Sequence, residues 1–266
     1  MPSSEYDLVV RSLPDLVGAD LGQHRVELSE SEMTYYALMI AGDLASGFDV
    51  LFEGGQPTCP SYALSLAGWA LRNVSELAEA DNTKTMLAGV SLELLRPLPE
   101  TGWLEMAARV SRLWDTGRAA LLEVEVTCEC FVVCYVIYLP DRGGFGGPPP
   151  PPPIKEQFQP EYSVQLPESE SVLYRKVPLN GDSASAQARP VQPGLVIMAR
   201  AFVAMLLQLG LSPYLVRRIE GRFTHPARVG EPLHLEGTTS GGFVVRGDHG
   251  VVIDHGLVTA VTDLGH

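Results

Sequence analysis

The stretch that decides the fold is Gln192-Pro-Gly-Leu-Val-Ile-Met-Ala-Arg-Ala-Phe-Val-Ala-Met-Leu206. It opens with Pro-Gly and then runs on without a turn signal, which predicts one buried helix. An earlier stretch has the same plan, Cys59-Pro-Ser-Tyr-Ala-Leu-Ser-Leu-Ala-Gly-Trp-Ala-Leu71. Arg200 and Gln208 interrupt the apolar run, so a buried helix is favoured over a membrane span. The two stretches therefore predict two related halves, each built on an apolar helix.

The similarity extends to both sides of these helices. Gly-Asp-x-Ala-Ser precedes each one, at residues 42–46 and 181–185, and a segment that reads as a strand with a Pro and Gly turn follows, at 90–102 and 219–230. Alternating apolar strands come next in both halves. We expect an α+β fold in which a long apolar helix is wrapped by a curved antiparallel sheet, twice over. Two such sheets paired side by side close an exposed edge on each.

A Gly/Pro-rich stretch separates the two halves, Gly143-Gly-Phe-Gly-Gly-Pro-Pro-Pro-Pro-Pro-Pro153. Glycines give the chain freedom and consecutive prolines give a stiff, extended spacer. The alternative is a proline-rich recognition motif. We predict an N-terminal unit over residues 1–142, a linker over 143–160, and a C-terminal unit over 161–266 that carries the site.

Cysteine usage points to a reducing compartment. The four cysteines are Cys59, Cys128, Cys130 and Cys134, and the last three share one parity in a run, 121–139, that reads as a single strand. They are expected to line one face of that strand, where buried thiols are favoured over a metal site because a flat face wraps an ion poorly. The first ten residues lack the regions of a secretory signal. We expect a cytoplasmic protein with no metal.

Charge excludes one class of partner. The formal net charge is -13, and 45% of the 266 residues are apolar, as in ordinary globular proteins. A surface of this sign repels nucleic acid, and we expect neither a nucleic acid nor a membrane as partner. A homodimer is compatible with the sequence, which does not establish one.

Three segments of the second half form a recognisable set, Gly181-Asp-Ser-Ala-Ser-Ala-Gln187, Arg189-Pro-Val-Gln-Pro-Gly-Leu195 and Arg222-Phe-Thr-His-Pro-Ala-Arg-Val-Gly-Glu-Pro-Leu233. Together they resemble the MaoC-like double hotdog family, which includes R-specific enoyl-CoA hydratases. Family members have Asn and His where this chain has Ala184 and Gln187. The resemblance implies a double hotdog fold whose first unit, over residues 1–142, is a degenerate hotdog that cradles the acyl tail. It also implies an acyl thioester substrate, carried on CoA or a carrier protein, or a small polyketide-like molecule.

The resemblance also implies roles for individual residues. Asp182 corresponds to the family's catalytic aspartate, and it is read either as a general base or as a turn residue. Gly194 corresponds to the backbone N–H that holds the thioester oxygen. Gln187 cannot accept a proton near neutral pH, so we give it an orienting role. The candidate substrate-binding residues are Asp43, Cys59, Ser183 and Ser185, for which turn capping or core filling is the alternative.

Two functions stay open at this point. The first is a lyase or isomerase related to MaoC-like hydratases and dehydratases, which performs dehydration, isomerisation or cyclisation, as in secondary metabolism, without the usual histidine. The second is a non-catalytic acyl-binding or scaffold subunit that works with a partner chain. No nicotinamide, flavin or metal motif is present, and we expect no cofactor beyond a carrier-linked substrate.

Overall fold

The protein is described by a computed structural model, which covers residues 12–41, 59–78, 85–152, 158–166 and 191–261. The described helices are α1 (Glu30–Ala41), α2 (Tyr62–Leu66), α3 (Trp69–Leu77) and α4 (Gly194–Leu209). The strands of the first half are β1 (Asp20–Leu28), β2 (Met86–Leu94), β3 (Gly102–Asp115), β4 (Ala120–Thr127) and β5 (Phe131–Leu139). Those of the second half are β6 (Tyr162–Leu166), β7 (Val216–Phe223), β8 (Leu233–Gly237), β9 (Gly242–Gly247) and β10 (Gly250–Ala260).

All ten strands form one antiparallel sheet, in the order β1-β3-β4-β5-β2-β7-β10-β9-β8-β6. Read outward from the centre, the second half repeats the strand order of the first. The halves meet at the ladder between β2 and β7, which runs from Gly89 opposite Arg222 to Glu93 opposite Arg218. This central ladder closes one edge of each five-stranded set, as expected from the sequence. The unit boundaries at residues 142 and 161 stay a prediction.

Helix α4 forms because its sequence is apolar on every side. Every residue from Leu195 to Leu206 is buried, as is typical of a helix that is enclosed by a sheet. The helix begins after Pro193, whose extended backbone is a natural entry, and it ends at Gly210 in the left-handed conformation with φ of 61°. Arg200 lies inside this core and donates a hydrogen bond from Nη2 to the Met39 carbonyl of α1, 3.3 Å away.

The first half differs from the single helix predicted over residues 59–71. Two short helices, α2 and α3, take its place, and Ala67 and Gly68 lie between them. At this junction the N–H of Gly68 bonds to the Ser65 carbonyl and that of Ala70 to the Ala67 carbonyl, which are the tighter i to i+3 bonds of a 3-10 turn. Glycine is a weak helix former, which favours a break at this point.

The predicted single strand over residues 121–139 is wrong. Strand β4 ends at Thr127, β5 begins at Phe131, and Cys128–Cys130 form the turn between them. Cys130 is buried before β5, whereas Cys134 lies on the face of β5 opposite the buried Phe131 and Val133. The three cysteines therefore do not line one strand face. All four cysteines are free thiols.

Two further observations concern classes of site weighed from the sequence. Within the part of the chain that the structure describes, no cluster of His, Cys, Asp and Glu has an arrangement that holds a metal ion. In those same residues no helix combines the length and the apolar character needed to cross a membrane.

Candidate active site at the start of the second-half helix

The start of α4 is held in place by the turn that follows β7. Gln192 donates its backbone N–H to the Ala227 carbonyl at 2.8 Å and its side-chain Nε2 to the Arg228 carbonyl at 3.0 Å. The Gln192 side chain is buried, so these bonds lie in a low-dielectric environment, where they are well defined. The entry to the helix is therefore a rigid feature of the second half.

The turn itself depends on one carboxylate. Glu231 accepts hydrogen bonds from the N–H groups of Arg228 at 2.8 Å and Asp248 at 2.7 Å, and it is largely buried. Gly230 has φ of 78°, a conformation that favours glycine. The sequence motif around Arg222–Leu233 thus serves to position the helix start. His225 is exposed in this segment, with Nδ1 2.9 Å from the Val251 carbonyl.

Gly194 is a glycine because a neighbouring ring leaves no room for a side chain. A Cβ atom at this position would lie 2.9 to 3.3 Å from the ring atoms of Phe223, which is closer than ordinary van der Waals contact. Phe223 is the last residue of β7 and is partly buried against the core. The contact between Phe223 and Gly194 was not predicted from the sequence. The signal that could have identified Phe223 is its place in the Arg222–Leu233 segment.

The N–H groups at the start of α4 point out of the helix. Val196 and Ile197 donate to the Pro193 carbonyl at 3.0 and 3.2 Å, which closes the first turn. Among the described residues, none accepts a hydrogen bond from the N–H of Gly194 or Leu195. These two donors carry the partial positive charge of a helix N-terminus, and Gly194 is half-buried rather than enclosed. The arrangement suits a ligand oxygen that bears negative charge.

Of the predicted site residues, only Gly194 and Cys59 lie in the part of the chain that the structure describes. Gly194 lies at the open helix start, whereas the segment with Asp182, Ser183, Ser185 and Gln187 lies outside the described residues, as does Asp43. The proximity of these side chains to Gly194 is therefore still a prediction.

Cys59 lies at the corresponding place in the first half, just before α2. Its thiol is buried and 3.3 Å from the Ser61 hydroxyl, and burial raises the pKa of Cys59 to about 12. The protonated thiol is a poor nucleophile near neutral pH. Cys59 and Pro60 border a cavity of about 50 Å³ whose rim carries Arg96 and Arg217. This cavity has room for a few water molecules and not for an acyl chain, so the acyl-tail cradle and the binding role of Cys59 stay predictions.

Two tyrosines fill the first half beside that cysteine. Tyr36 donates its hydroxyl to the Ser61 carbonyl at 3.0 Å, and Tyr135 donates to the Leu64 carbonyl at 2.5 Å. Both rings are buried, and burial raises the pKa of each phenol well above its usual range. The Tyr62 ring lies 5.0 Å from that of Tyr36. Sequence analysis did not identify this buried cluster, because its members lie far apart along the chain.

Comparison with known proteins supports the fold. No protein-family model matches the chain, and no curated protein matches it by sequence. A MaoC-like dehydratase from Phytophthora capsici is 20% identical, with a TM-score of 0.75 over 93% of this chain and 97% of that one. The peroxisomal multifunctional enzyme type 2 of Drosophila melanogaster is 23% identical, with a TM-score of 0.67 over 90% of this chain, which spans 48% of that enzyme.

A third solved structure carries the name of the fold. A conserved hypothetical protein from Mycobacterium tuberculosis, described as having a double hotdog fold, is 14% identical with a TM-score of 0.58 over 94% of this chain and 98% of its own. At such identities the similarity shows the fold and not the activity. The α+β double hotdog architecture predicted from the sequence is confirmed.

Proposed function

We propose that this double hotdog chain is an enzyme that acts on an acyl thioester by hydration, dehydration or a related isomerisation or cyclisation. The observation that carries the proposal is the open start of α4, with the N–H of Gly194 directed out of the helix. The fold that surrounds it is shared over nearly the whole chain with a protein described as a MaoC-like dehydratase. The fold alone does not define a reaction, and the open helix start supplies the chemical argument.

The N–H of Gly194 is suited to the charge that develops on a thioester oxygen. When water adds to an enoyl thioester, the water oxygen forms a bond to C3 and the electrons of the double bond move toward the carbonyl oxygen. A fixed N–H donor with the partial positive charge of a helix N-terminus stabilises that enolate oxygen. The contact with Phe223 fixes the backbone at Gly194, so that the donor does not need to reorganise during the reaction.

The proton transfers are assigned to the preceding segment. In our proposal Asp182 takes the proton from the attacking water and then delivers it to C2 of the substrate, which completes the addition and restores the carboxylate. Gln187 orients the water or the substrate through its amide, which does not titrate near neutral pH. Ser183, Ser185 and Asp43 are proposed to contact the substrate. Each of these roles follows from the resemblance described above.

The substrate is proposed to be a CoA or carrier-protein thioester, or a polyketide-like molecule that cyclises when it is held in one orientation. We propose a cytoplasmic location, which the four free thiols support. A homodimer and the absence of a cofactor belong to the same proposal. The second candidate is a non-catalytic acyl-binding or scaffold subunit with a partner chain, and it is favoured by Ala184 and Gln187 where the family has Asn and His.

The test is turnover of a panel of enoyl and 3-hydroxyacyl thioesters, with cyclisation-prone polyene and hydroxy-enone chains included, followed by mass spectrometry. The wild type is expected to convert at least one substrate. Asp182→Asn should lower the rate about 10²- to 10⁴-fold, because general acid–base groups contribute that much. Asp141→Asn is the matched control, since Asp141 is exposed in the turn after β5 of the first half and takes no part in the turn that positions α4.

The outcomes separate the two candidates. Conversion that is lost in Asp182→Asn and kept in Asp141→Asn supports the proposed base. Conversion confined to the cyclisation-prone chains supports a cyclase. A folded wild type that converts no substrate contradicts the enzyme and favours the scaffold subunit.

A further inference from the structure

The Gly/Pro-rich stretch is fixed to the first half at its beginning. We call Gly143–Pro152 the strap. The carboxylate of Asp115, the last residue of β3, accepts hydrogen bonds from the N–H of Gly144 at 2.9 Å and of Gly146 at 2.8 Å. The backbone N–H of Asp115 donates to the Pro148 carbonyl at 2.8 Å. These amide hydrogen bonds lower the pKa of the Asp115 carboxyl below its usual value.

The glycines of the strap allow one defined backbone conformation and do not make the backbone flexible. Gly144 and Gly146 have φ of 80° and 78°, which favours glycine at both positions. A Cβ atom on Gly143 would lie 2.6 Å from the Ala119 backbone nitrogen, so the strap passes too close to the chain for a side chain at that point. The ring of Phe145 packs against the core. The freedom that glycines were expected to give the chain is therefore not what Gly143, Gly144 and Gly146 provide in this part of the strap.

The prolines that follow have one accessible conformation. Each proline fixes its own φ near −65°, and a proline also excludes the helical region for the residue before it. Pro148–Pro152 is thus confined to polyproline II, which has three residues per turn. The exposure of the prolines is consistent with three residues per turn. Pro150 is half-buried, whereas the two prolines on either side of it, Pro148, Pro149, Pro151 and Pro152, are exposed. One edge of the polyproline helix lies on the protein and the other two face outward.

The fold does not require this rigidity. The central ladder between β2 and β7 already fixes the relative position of the two halves, from Gly89 opposite Arg222 to Glu93 opposite Arg218. A connection between Leu139 and Tyr162 needs only to span the distance, for which an ordinary flexible loop is sufficient. The stiff, outward-facing prolines are therefore unexplained by a spacer role alone.

We propose that Pro148–Pro152 is a docking segment for a partner protein domain that binds polyproline II helices in a groove lined by aromatic side chains. Such grooves bind the proline rings along one side of a polyproline II helix. The affinity is higher because the ligand is already ordered before it binds. The anchor at Asp115 adds to this order. No charged residue occurs from Gly143 to Pro153 in a chain of net charge -13, so recognition depends on ring packing and on hydrogen bonds to the carbonyls of the prolines that follow Pro148, whose own carbonyl is bound by Asp115.

The test is titration of the full-length protein with purified SH3, WW and EVH1 domains, followed by fluorescence anisotropy of the labelled domain. At least one domain is expected to bind saturably with 1:1 stoichiometry. Replacing the four exposed prolines together, by Pro148→Ala, Pro149→Ala, Pro151→Ala and Pro152→Ala, should weaken this binding by at least about tenfold. The matched control Pro150→Ala changes the same residue type on the inward edge and should stay within about twofold of wild type.

A third variant separates docking from anchoring. Asp115→Asn leaves every proline in place but weakens the anchor, and a reduction of only a few-fold in affinity is expected because more of the segment must be ordered on binding. Thermal unfolding of each variant establishes that the fold is retained. The proposal is overturned if none of the three domains binds the wild type, or if the variant with four proline substitutions binds as tightly as the wild type. It is also overturned if Pro150→Ala loses as much affinity as the variant with four proline substitutions.

Discussion

At the start of α2 the first half has buried tyrosines, and at the start of α4 the second half has a glycine. In the first half, the hydroxyls of Tyr36 and Tyr135 bind carbonyls of the first turn of the helix, and the Cys59 thiol is enclosed beside them. In the second half, Gly194 is half-buried and its N–H points out of the helix. One helix start is packed as core, whereas at the other no described residue accepts a hydrogen bond from the first N–H.

The difference arises at equivalent positions of one architecture. Ser91 and Glu220 pair at the middle of the central ladder, so they occupy equivalent positions in the two halves. Tyr135 pairs with the residue before Ser91, and Val258 pairs with the residue before Glu220. A phenol ring in the first half therefore corresponds to an isopropyl group in the second. The extra volume and the hydroxyl of Tyr135 allow it to reach the Leu64 carbonyl and fill the interior. We infer that the second half retains the site and that the first half stabilises the fold.

Removing the first half's tyrosine should have the largest effect on stability. Tyr135→Ala is expected to lower the free energy of unfolding by about 3–5 kcal/mol, because it leaves a cavity in a closely packed core. Tyr135→Phe should cost about 1–2 kcal/mol, because the Leu64 carbonyl loses a buried hydrogen bond. Urea unfolding followed by circular dichroism measures both.

The same strand offers a matched control for these variants. Tyr138 lies three residues further along β5, on its other face and only half-buried. Tyr138→Phe is expected to change the free energy of unfolding by no more than about 0.5 kcal/mol. Equal losses for Tyr135→Phe and Tyr138→Phe would contradict the assignment of Tyr135 to a structural role.

Crowding the second half's helix start should have a smaller effect. Gly194→Ala is expected to cost about 1–3 kcal/mol, because the new Cβ atom overlaps the Phe223 ring. The cost should fall when the ring is shortened by Phe223→Leu, so that the two substitutions are not additive in a double-mutant cycle. Additive changes in the unfolding midpoints would show that the ring contact is not the reason for a glycine at this position.

The smallest effect concerns the chemical reactivity of the enclosed thiol. Burial raises the pKa of Cys59 to about 12, so it is expected to resist iodoacetamide at pH 8 in the folded protein. Cys128 is half-buried in the turn between β4 and β5 and should be alkylated first. Peptide mass spectrometry after timed quenching gives both rates, and urea should equalise them. Modification of Cys59 as fast as Cys128 would show that the first half's helix start is open.

The sequence predicted the architecture well because the repeat and the family motifs lie on continuous segments. The pattern around Gln192–Leu206 predicts α4, and the segment over residues 219–230 predicts the strand and turn that support it. The turn at Cys128–Cys130 was missed for a physical reason. Strand β5 is apolar on both faces, so the alternation of apolar and polar residues that marks the extent of a strand is not visible there. Without that alternation the sequence does not show where β4 ends and β5 begins.

The contacts that distinguish the two helix starts could not be predicted. The hydroxyl of Tyr135 meets a carbonyl 71 residues away, and Tyr36 meets one 25 residues away. Gly194 and Phe223 are brought together only when β7 packs beside α4. Periodicity defines which face of an element is buried, but it does not define which residues meet across the core.

The most direct test of the central claim compares Gly194→Pro with Gly194→Ala in turnover of the best thioester substrate. Both variants add the same Cβ atom, and proline is well accepted at the first position of a helix, but only Gly194→Pro removes the N–H group. We expect kcat/KM of Gly194→Pro to fall about 10²- to 10³-fold below that of Gly194→Ala, the usual cost of losing one oxyanion donor. Equal values for two folded variants would contradict a role for this helix start in catalysis.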